Sequence, residues 1–340
     1  MNPLRAFLTF LLLAAAACAQ TAQTGVSGAV LDEAGAGIEG CTVEILHVDT
    51  GRVRTVLSRF DGGYQAALLP PGQYRIRVSK PGFRAETRTG ILLSVGQQAV
   101  LDFRLQLSAV EESIEVSAAT ALVDTVNPAF SGLADSKKIS ELPLNGRDIV
   151  QLIQLQTGVQ PARTDVGSIL TGGQGVRIAV AGARTSMNVF MLDGTVINNL
   201  GNRVAGGATG ALGGVETIQE FRAYSSNYSA EFGRAAGGAF NIVTKSGSNL
   251  LHGSLFEFLR NDNLDARNFF DGARPEFKRH QFGGSLGGPV VRNRTFFFGS
   301  YEGFRERQGE TVIRSVPSRL ARQGIVNGGS VPVLPAVRPY

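Results

Sequence analysis

Alternation of apolar and polar residues runs through most of this chain. Val26–Val30, Thr42–His47, Arg52–Ser58, Tyr64–Leu68, Tyr74–Val78 and Ala99–Leu107 each read as a short strand of period two. Between them stand turn signals: Asp32-Glu33-Ala34-Gly35, Asp49-Thr50-Gly51, Asp61-Gly62-Gly63, Pro70-Pro71-Gly72 and Lys80-Pro81-Gly82. Short strands at such close spacing predict a β-sandwich of about seven strands over residues 24–107. In the last strand the pattern puts Leu101, Phe103, Leu105 and Leu107 on one face, and in the second it puts Cys41, Val43 and Ile45 together.

The period changes after Leu142. Asn145 can cap a helix, Asp148 falls in its first turn, and Ile149, Leu152, Ile153 and Gln156 recur at helical spacing until Thr157-Gly158. Strands are then expected at Val176–Ala181, at Asn188–Leu192 with a tight Asp193-Gly194 turn into Thr195–Ile197, and at Ala239–Thr244. Glu216–Phe221 reads as one short amphipathic turn of helix or strand, and Asn199–Gly214 as a glycine-rich loop. Residues 120–247 are therefore expected to form an α+β unit. From 248 onward the alternation returns. Leu251–Arg260 has the length of a transmembrane strand. A polar loop follows (Asn261–Lys278), then a strand at His280–Gly287 with Phe282 and Leu286 opposite Gln281 and Ser285. Pro289–Arg294 is a short turn, and Thr295–Phe304 supplies aromatic bulk through Phe296, Phe297, Phe298, Tyr301 and Phe304. One long loop and one short turn is the asymmetry of an outer-membrane barrel, with Asn261–Lys278 extracellular and Val290–Arg294 periplasmic. A soluble β-sandwich fits the same alternation.

Composition narrows the function. The net charge is +5 over 340 residues, and no Lys/Arg run exceeds two, so a nucleic-acid stripe is excluded. Met1–Arg5 followed by the apolar Ala6–Ala17 reads as a signal peptide over residues 1–19, cleaved after Ala19. Ala16-Ala17-Cys18 also fits a lipobox. Without Cys18, Cys41 has no partner for a disulfide and reads as a small buried hydrophobe. His47, His252 and His280 lack metal-ligand spacing, and no Ser-His pair or recognisable carboxylate pair is present, so neither an enzyme nor a cofactor is expected. Gly172-Gly173-Gln174-Gly175 and Gly206–Gly210 lack the ending of a phosphate loop.

Several phrases resemble known families. Gly28-Ala29-Val30, Gly35 with Ile38-Glu39-Gly40, Asp61-Gly62-Gly63-Tyr64 and Leu69-Pro70-Pro71-Gly72-Gln73-Tyr74 resemble the carboxypeptidase regulatory-like, transthyretin-like sandwich, a non-catalytic accessory module. Leu142-Pro143-Leu144-Asn145-Gly146-Arg147, Val180–Arg184, Leu192-Asp193-Gly194, Ile218–Phe221 with Ala230–Arg234, and Thr244–Asn249 look like the plug of TonB-dependent outer-membrane transporters of the Oar-like group. In residues 108–119, Ser113, Ile114, Glu115, Val116 and Ser117 read either as a linker or added edge strand, or as a strand offered for β-augmentation. That segment resembles a TonB box. Arg184 and Arg234 are, by analogy with other plugs, candidates for plug–barrel ion pairs, or else plain surface arginines.

The expected architecture is thus mainly β with an α+β unit: a transthyretin-like sandwich, a plug over 120–247, and from 248 to 340 the first strands of a barrel. Relatives close about 22 strands, and this stretch contains three, so a fragment or a truncated gene is expected. The resemblance implies energy-coupled uptake of an unidentified small ligand or glycan, with TonB and the outer membrane as partners. A surface adhesin or ligand-binding β protein is the rival reading.

Overall fold

The computed structural model describes residues 24–108, 113–117, 129–142, 144, 147, 150–161, 178–198, 214–229, 232–233, 236–267, 269, 274–309, 318–326 and 328–332. The expected signal peptide with Cys18, Asn145, Asp148, Ile149, the start of the strand expected from Val176, the glycine-rich 199–213 and Arg234 lie outside them. Two compact units divide the chain, Met1–Glu257 with Gln281–Phe304, and Phe258–His280 with Arg305–Tyr340.

Two sheets open the first unit. In one, β1 (Gly25–Leu31) pairs antiparallel with β4 (Gly63–Ala66) and parallel with β7 (Gln98–Val100) and β8 (Phe103–Arg104). The other has the order β3 (Val53–Leu57), β2 (Thr42–His47), β5 (Gly72–Ser79), β6 (Ala85–Leu93), β9 (Ser113–Ser117). Alternation explains the burial. On β5, Tyr74, Ile76 and Val78 are buried while Gln73, Arg75 and Arg77 are exposed. Each such apolar side chain contributes about 1.5–3 kcal/mol relative to leaving it in water. Val26, Val30, Tyr64 and Phe103 of one sheet and Val43, Ile45, Ile76 and Val78 of the other share one core, which also holds the free thiol of Cys41.

The structure differs from expectation in two places here. Strand β6 is absent from the alternation because Glu86-Thr87-Arg88-Thr89 carries no apolar residue. Buried Ala85, Ile91 and Leu93 fasten it, with a register shift against β5 between Tyr74 and Ile76. The strand expected at Ala99–Leu107 is interrupted between β7 and β8. Leu101, Phe103 and Leu105 are buried as expected, but Leu107 lies at the surface, 76% exposed.

A second sheet system follows, in the order β10 (Phe130–Ala134), β15 (Ile218–Ser226), β16 (Ala239–Thr244), β13 (Val189–Leu192), β14 (Thr195–Val196). A separate pair joins β11 (Val159–Pro161) and β12 (Ile178–Val180). Helix α1 (Ser136–Glu141), not anticipated from the sequence, is capped by Asp135, whose carboxylate accepts from Lys138 N at 2.9 Å. Helix α2 (Val150–Gln154) buries Leu152 and Ile153. The segment expected as one short turn at Glu216–Phe221 is a 3-10 turn, Val215–Thr217, leading into the nine-residue β15. Between two neighbours β15 is buried on both faces, so alternation could not mark its length. Asp193 and Gly194 both take positive φ, 48° and 81°, as a two-residue hairpin turn requires. At Gly238 a Cβ would lie 2.8 Å from Val180 Cγ2, so this position brings β16 close to β12.

The last sheet has the order β17 (His252–Asn261), β18 (Phe277–Val291), β19 (Thr295–Gln308). A short turn with Asn293 at φ 62° joins β18 to β19. Gln281, Ser285, Ser254 and Glu302 share one face, where Gln281 donates to Glu302 and the Ser254 and Ser285 hydroxyls lie 2.9 Å apart. Leu255, Leu286, Val290 and Tyr301 occupy the opposite, exposed face. The division of Gln281 and Ser285 from Phe282 and Leu286 is the one the alternation predicts. In the second unit Arg260 covers the Phe277 ring at 4.7 Å and pairs with Asp265 at 3.0 Å.

Candidate functional site

The 3-10 turn at Val215–Thr217 carries Glu216, a carboxylate with three polar partners among the described residues. Glu216 accepts from Arg147 Nη2 at 2.7 Å and from Ser254 Oγ at 2.7 Å, and Lys245 Nζ lies 3.5 Å away. Arg147 is buried, and its guanidinium lies over the Phe256 ring, 4.0 Å from the centroid. Ser254 and Phe256 belong to β17, so the cluster fastens the five-stranded sheet unit to the polar face of the C-terminal sheet. Thr217 Oγ1 adds a contact to Ser300 Oγ on β19 at 3.0 Å. Burial pushes the Glu216 carboxyl up, but the Ser254 hydroxyl, Lys245 and Arg147 together outweigh it and hold it below the usual carboxylate range. The group is an ionised fastener.

A second set of contacts joins the opening pair of sheets to the same unit. Glu220 on β15 is buried and accepts from the backbone N–H of Val95, and Gln219 Nε2 donates to Pro71 O at 3.4 Å. Burial pushes the Glu220 carboxyl up to about 7, against the Val95 N–H and Arg222, which both favour its ionised form. At the far end of the C-terminal sheet, Asn249 N donates to Asp49 O at 2.8 Å. Asn249 and Asn293 bond each other reciprocally: Asn249 Nδ2 donates to Asn293 Oδ1 at 2.8 Å, and Asn293 N to Asn249 Oδ1 at 2.9 Å.

The residues singled out from sequence are dispersed. Ser113–Ser117 form β9, the last strand of its sheet, parallel to β6 and registered from Ala85↔Ser113 to Thr89↔Ser117. Arg184 is exposed at the entry to a 3-10 turn (Thr185–Met187) and makes no ion pair among the described residues. Arg234 lies outside the described residues. Sequence reasoning met Glu216, Glu220, Lys245 and Arg147 only as members of longer phrases and gave none of them a role of its own. Arg147 and Glu216 stand 69 positions apart, and no spacing rule links them.

Residues 25–106 match the carboxypeptidase regulatory-like domain, and residues 243–339 match the outer membrane beta barrel domain. The chain thus carries a regulatory-like module and, behind it, a stretch that matches an outer-membrane barrel, and its location is the outer membrane. The TonB-dependent transporter Oar of Myxococcus xanthus is 25% identical over 264 residues, which cover 73% of this chain and 23% of that protein. The chain is thus similar to an Oar-like TonB-dependent transporter, with a regulatory-like domain at residues 25–106. It spans about a quarter of that relative's length. Among solved structures, the siderophore receptor PirA from Acinetobacter baumannii is 20% identical with a TM-score of 0.38, covering 53% of this chain and 25% of the receptor. The ferric enterobactin receptor PfeA from Pseudomonas aeruginosa is 19% identical with a TM-score of 0.35, covering 49% and 23%.

Proposed function

We propose that this chain gates and couples uptake of a ligand through an outer-membrane barrel. Residues 24–107 form the accessory sandwich, 108–119 a linker carrying the TonB box Ser113–Ser117, 120–247 the plug, and 248 onward the start of the barrel wall. The observation that carries this reading is the two-faced C-terminal sheet. Its polar face, Ser254, Ser285, Ser300 and Glu302, turns toward the plug, and Glu216 ties the two together. Its other face presents Leu255, Leu286, Val290 and Tyr301, as a lipid-facing wall requires. Sidedness follows from the short turn. Asn293 meets Asn249, which meets Asp49 of the sandwich, so sandwich and short turn share the periplasmic end. Arg184 and Arg234 remain proposed contacts to the barrel wall. The plug gives way when TonB, pairing with the box, pulls on it, and a small ligand or glycan passes.

Binding tests the coupling. The purified periplasmic domain of TonB should bind the detergent-solubilised chain and lose that binding when Ser113–Ala118 is deleted. Equal binding by the deletion variant would refute the assignment of the box. The rival adhesin reading is not favoured by the relatives. It requires recovery of the protein outside the outer-membrane fraction, which cell fractionation checks.

A further inference from the structure

We infer that the regulatory-like sandwich holds a binding site for a small carboxylate with a flat apolar body, in the slot between β3 and the crossing Leu68-Leu69-Pro70. The inference goes beyond uptake through a barrel and does not depend on it. The slot follows from how the two sheets end. Strand β3 stands first in the order β3, β2, β5, β6, β9. Register sets Arg54 opposite Ile45 and Tyr74 opposite His47, so these four side chains share the core-facing side of the sheet. Arg52, two residues before Arg54, falls on that side too. The other sheet's β4 stops at Ala66, and Leu68-Leu69-Pro70 crosses from it to β5. A cavity of about 440 Å³ lies between these walls, within the range of about 300–1,000 Å³ usual for small-molecule sites.

The walls are apolar and the mouth is cationic. Ile45, Leu69 and Tyr74 are buried. The Tyr74 hydroxyl donates to Pro70 O at 2.6 Å, so its polar atom is already satisfied, and its ring meets that of His47 edge to face with centroids 4.9 Å apart. Burial, helped by Arg52, lowers the His47 imidazole below its ordinary value against Asp49 and Pro71 O, so at pH 7 the ring is a neutral wall. Leu68, at φ 58°, takes a conformation strained for a bulky residue, and such strain gathers at ligand clamps. It is held there because Leu69 is buried beside it and donates its N–H to Thr24 O at 2.9 Å. Arg52 and Arg54 are exposed, and among the described residues neither holds a carboxylate: the arginine ion pairs are those of Arg88, Arg147, Arg260 and Arg279. Among the described residues no acidic side chain lines the cavity. Guanidinium forks match the two oxygens of a carboxylate. A flat ring below them continues the edge-to-face contact of Tyr74 and His47. A cation of the same shape is repelled, and a neutral alcohol leaves the guanidiniums without an anion.

The test is binding of phenylacetate to the full chain in detergent, by equilibrium dialysis of the labelled acid with detergent alone as the blank. Saturable binding with a Kd on the order of 1 mM or tighter is expected. Phenylethanol and phenethylamine, of the same shape but neutral and cationic, should bind at least about tenfold more weakly. The double variant Arg52→Gln with Arg54→Gln should weaken phenylacetate at least about tenfold. Both arginines are exposed, so their replacement leaves the core intact. Arg59→Gln changes an exposed arginine of the same sandwich that does not line the cavity, and it should stay within about twofold of wild type. No saturation by about 10 mM, equal binding of the three compounds, equal binding by the double variant, or an equal loss in Arg59→Gln would each overturn the inference.

Discussion

Replacing Glu216 should loosen the joint between the central sheet unit and the C-terminal sheet. Its carboxylate lies 2.7 Å from the Arg147 guanidinium, with side-chain exposures of 13% and 9%, and 3.5 Å from Lys245. At an effective dielectric near 20, one such pair about 4 Å apart between charge centres is worth about 4 kcal/mol before desolvation. Removing one partner of a buried pair strands the other charge and costs about 3–5 kcal/mol. Glu216→Ala should therefore destabilise the protein by about 3–5 kcal/mol, and Glu216→Gln, which still accepts from Ser254, by about 2–3 kcal/mol. Urea unfolding of the chain in detergent micelles at pH 7 reads both. The carboxyl is lowered in the folded state, so its stabilisation is complete above the unfolded value near 4.3 and fades as pH falls through the folded one. The acid-side slope should shrink in Glu216→Gln. A Glu216→Ala variant within about 1 kcal/mol of wild type would refute the reasoning, since Arg147 would then be satisfied without its partner.

Glu220 has the opposite sign. Its folded carboxyl sits at about 7, so between about 4.3 and 7 the folded state holds a proton that the unfolded chain has released. Stability should fall by about 3–4 kcal/mol as pH rises through that window, and Glu220→Gln should remove the fall and exceed wild type at pH 8 in urea titrations. Gly238→Val should cost about 1–3 kcal/mol by forcing β16 from Val180, measured by thermal unfolding. Burial raises the Cys41 thiol above its ordinary value, the Ser58 hydrogen bond and Lys80 only partly opposing it. Cys41 should therefore resist maleimide at pH 7 until urea unfolds the sandwich, as mass spectrometry would show.

What the sequence by itself determined is local. Period-two alternation marked β2 with its observed ends and separated Gln281 and Ser285 from Phe282 and Leu286, because a strand with one buried face must alternate; β16 was also found with its observed ends, although Ala239–Ile242 are all buried. Turn residues found the Asp193-Gly194 hairpin because positive φ selects them. Strand β15 escaped because both its faces are buried, and β6 because its middle is polar and its ends hold it in place. Only the tertiary structure decided the joints. Arg147 meets Glu216 across 69 positions, Glu220 meets Val95 across 125, and β9 finds the edge of β6. Such meetings depend on the register and stacking of whole sheets. A sequence pattern records which side of a strand is buried, but not which distant charge or open edge that side will face.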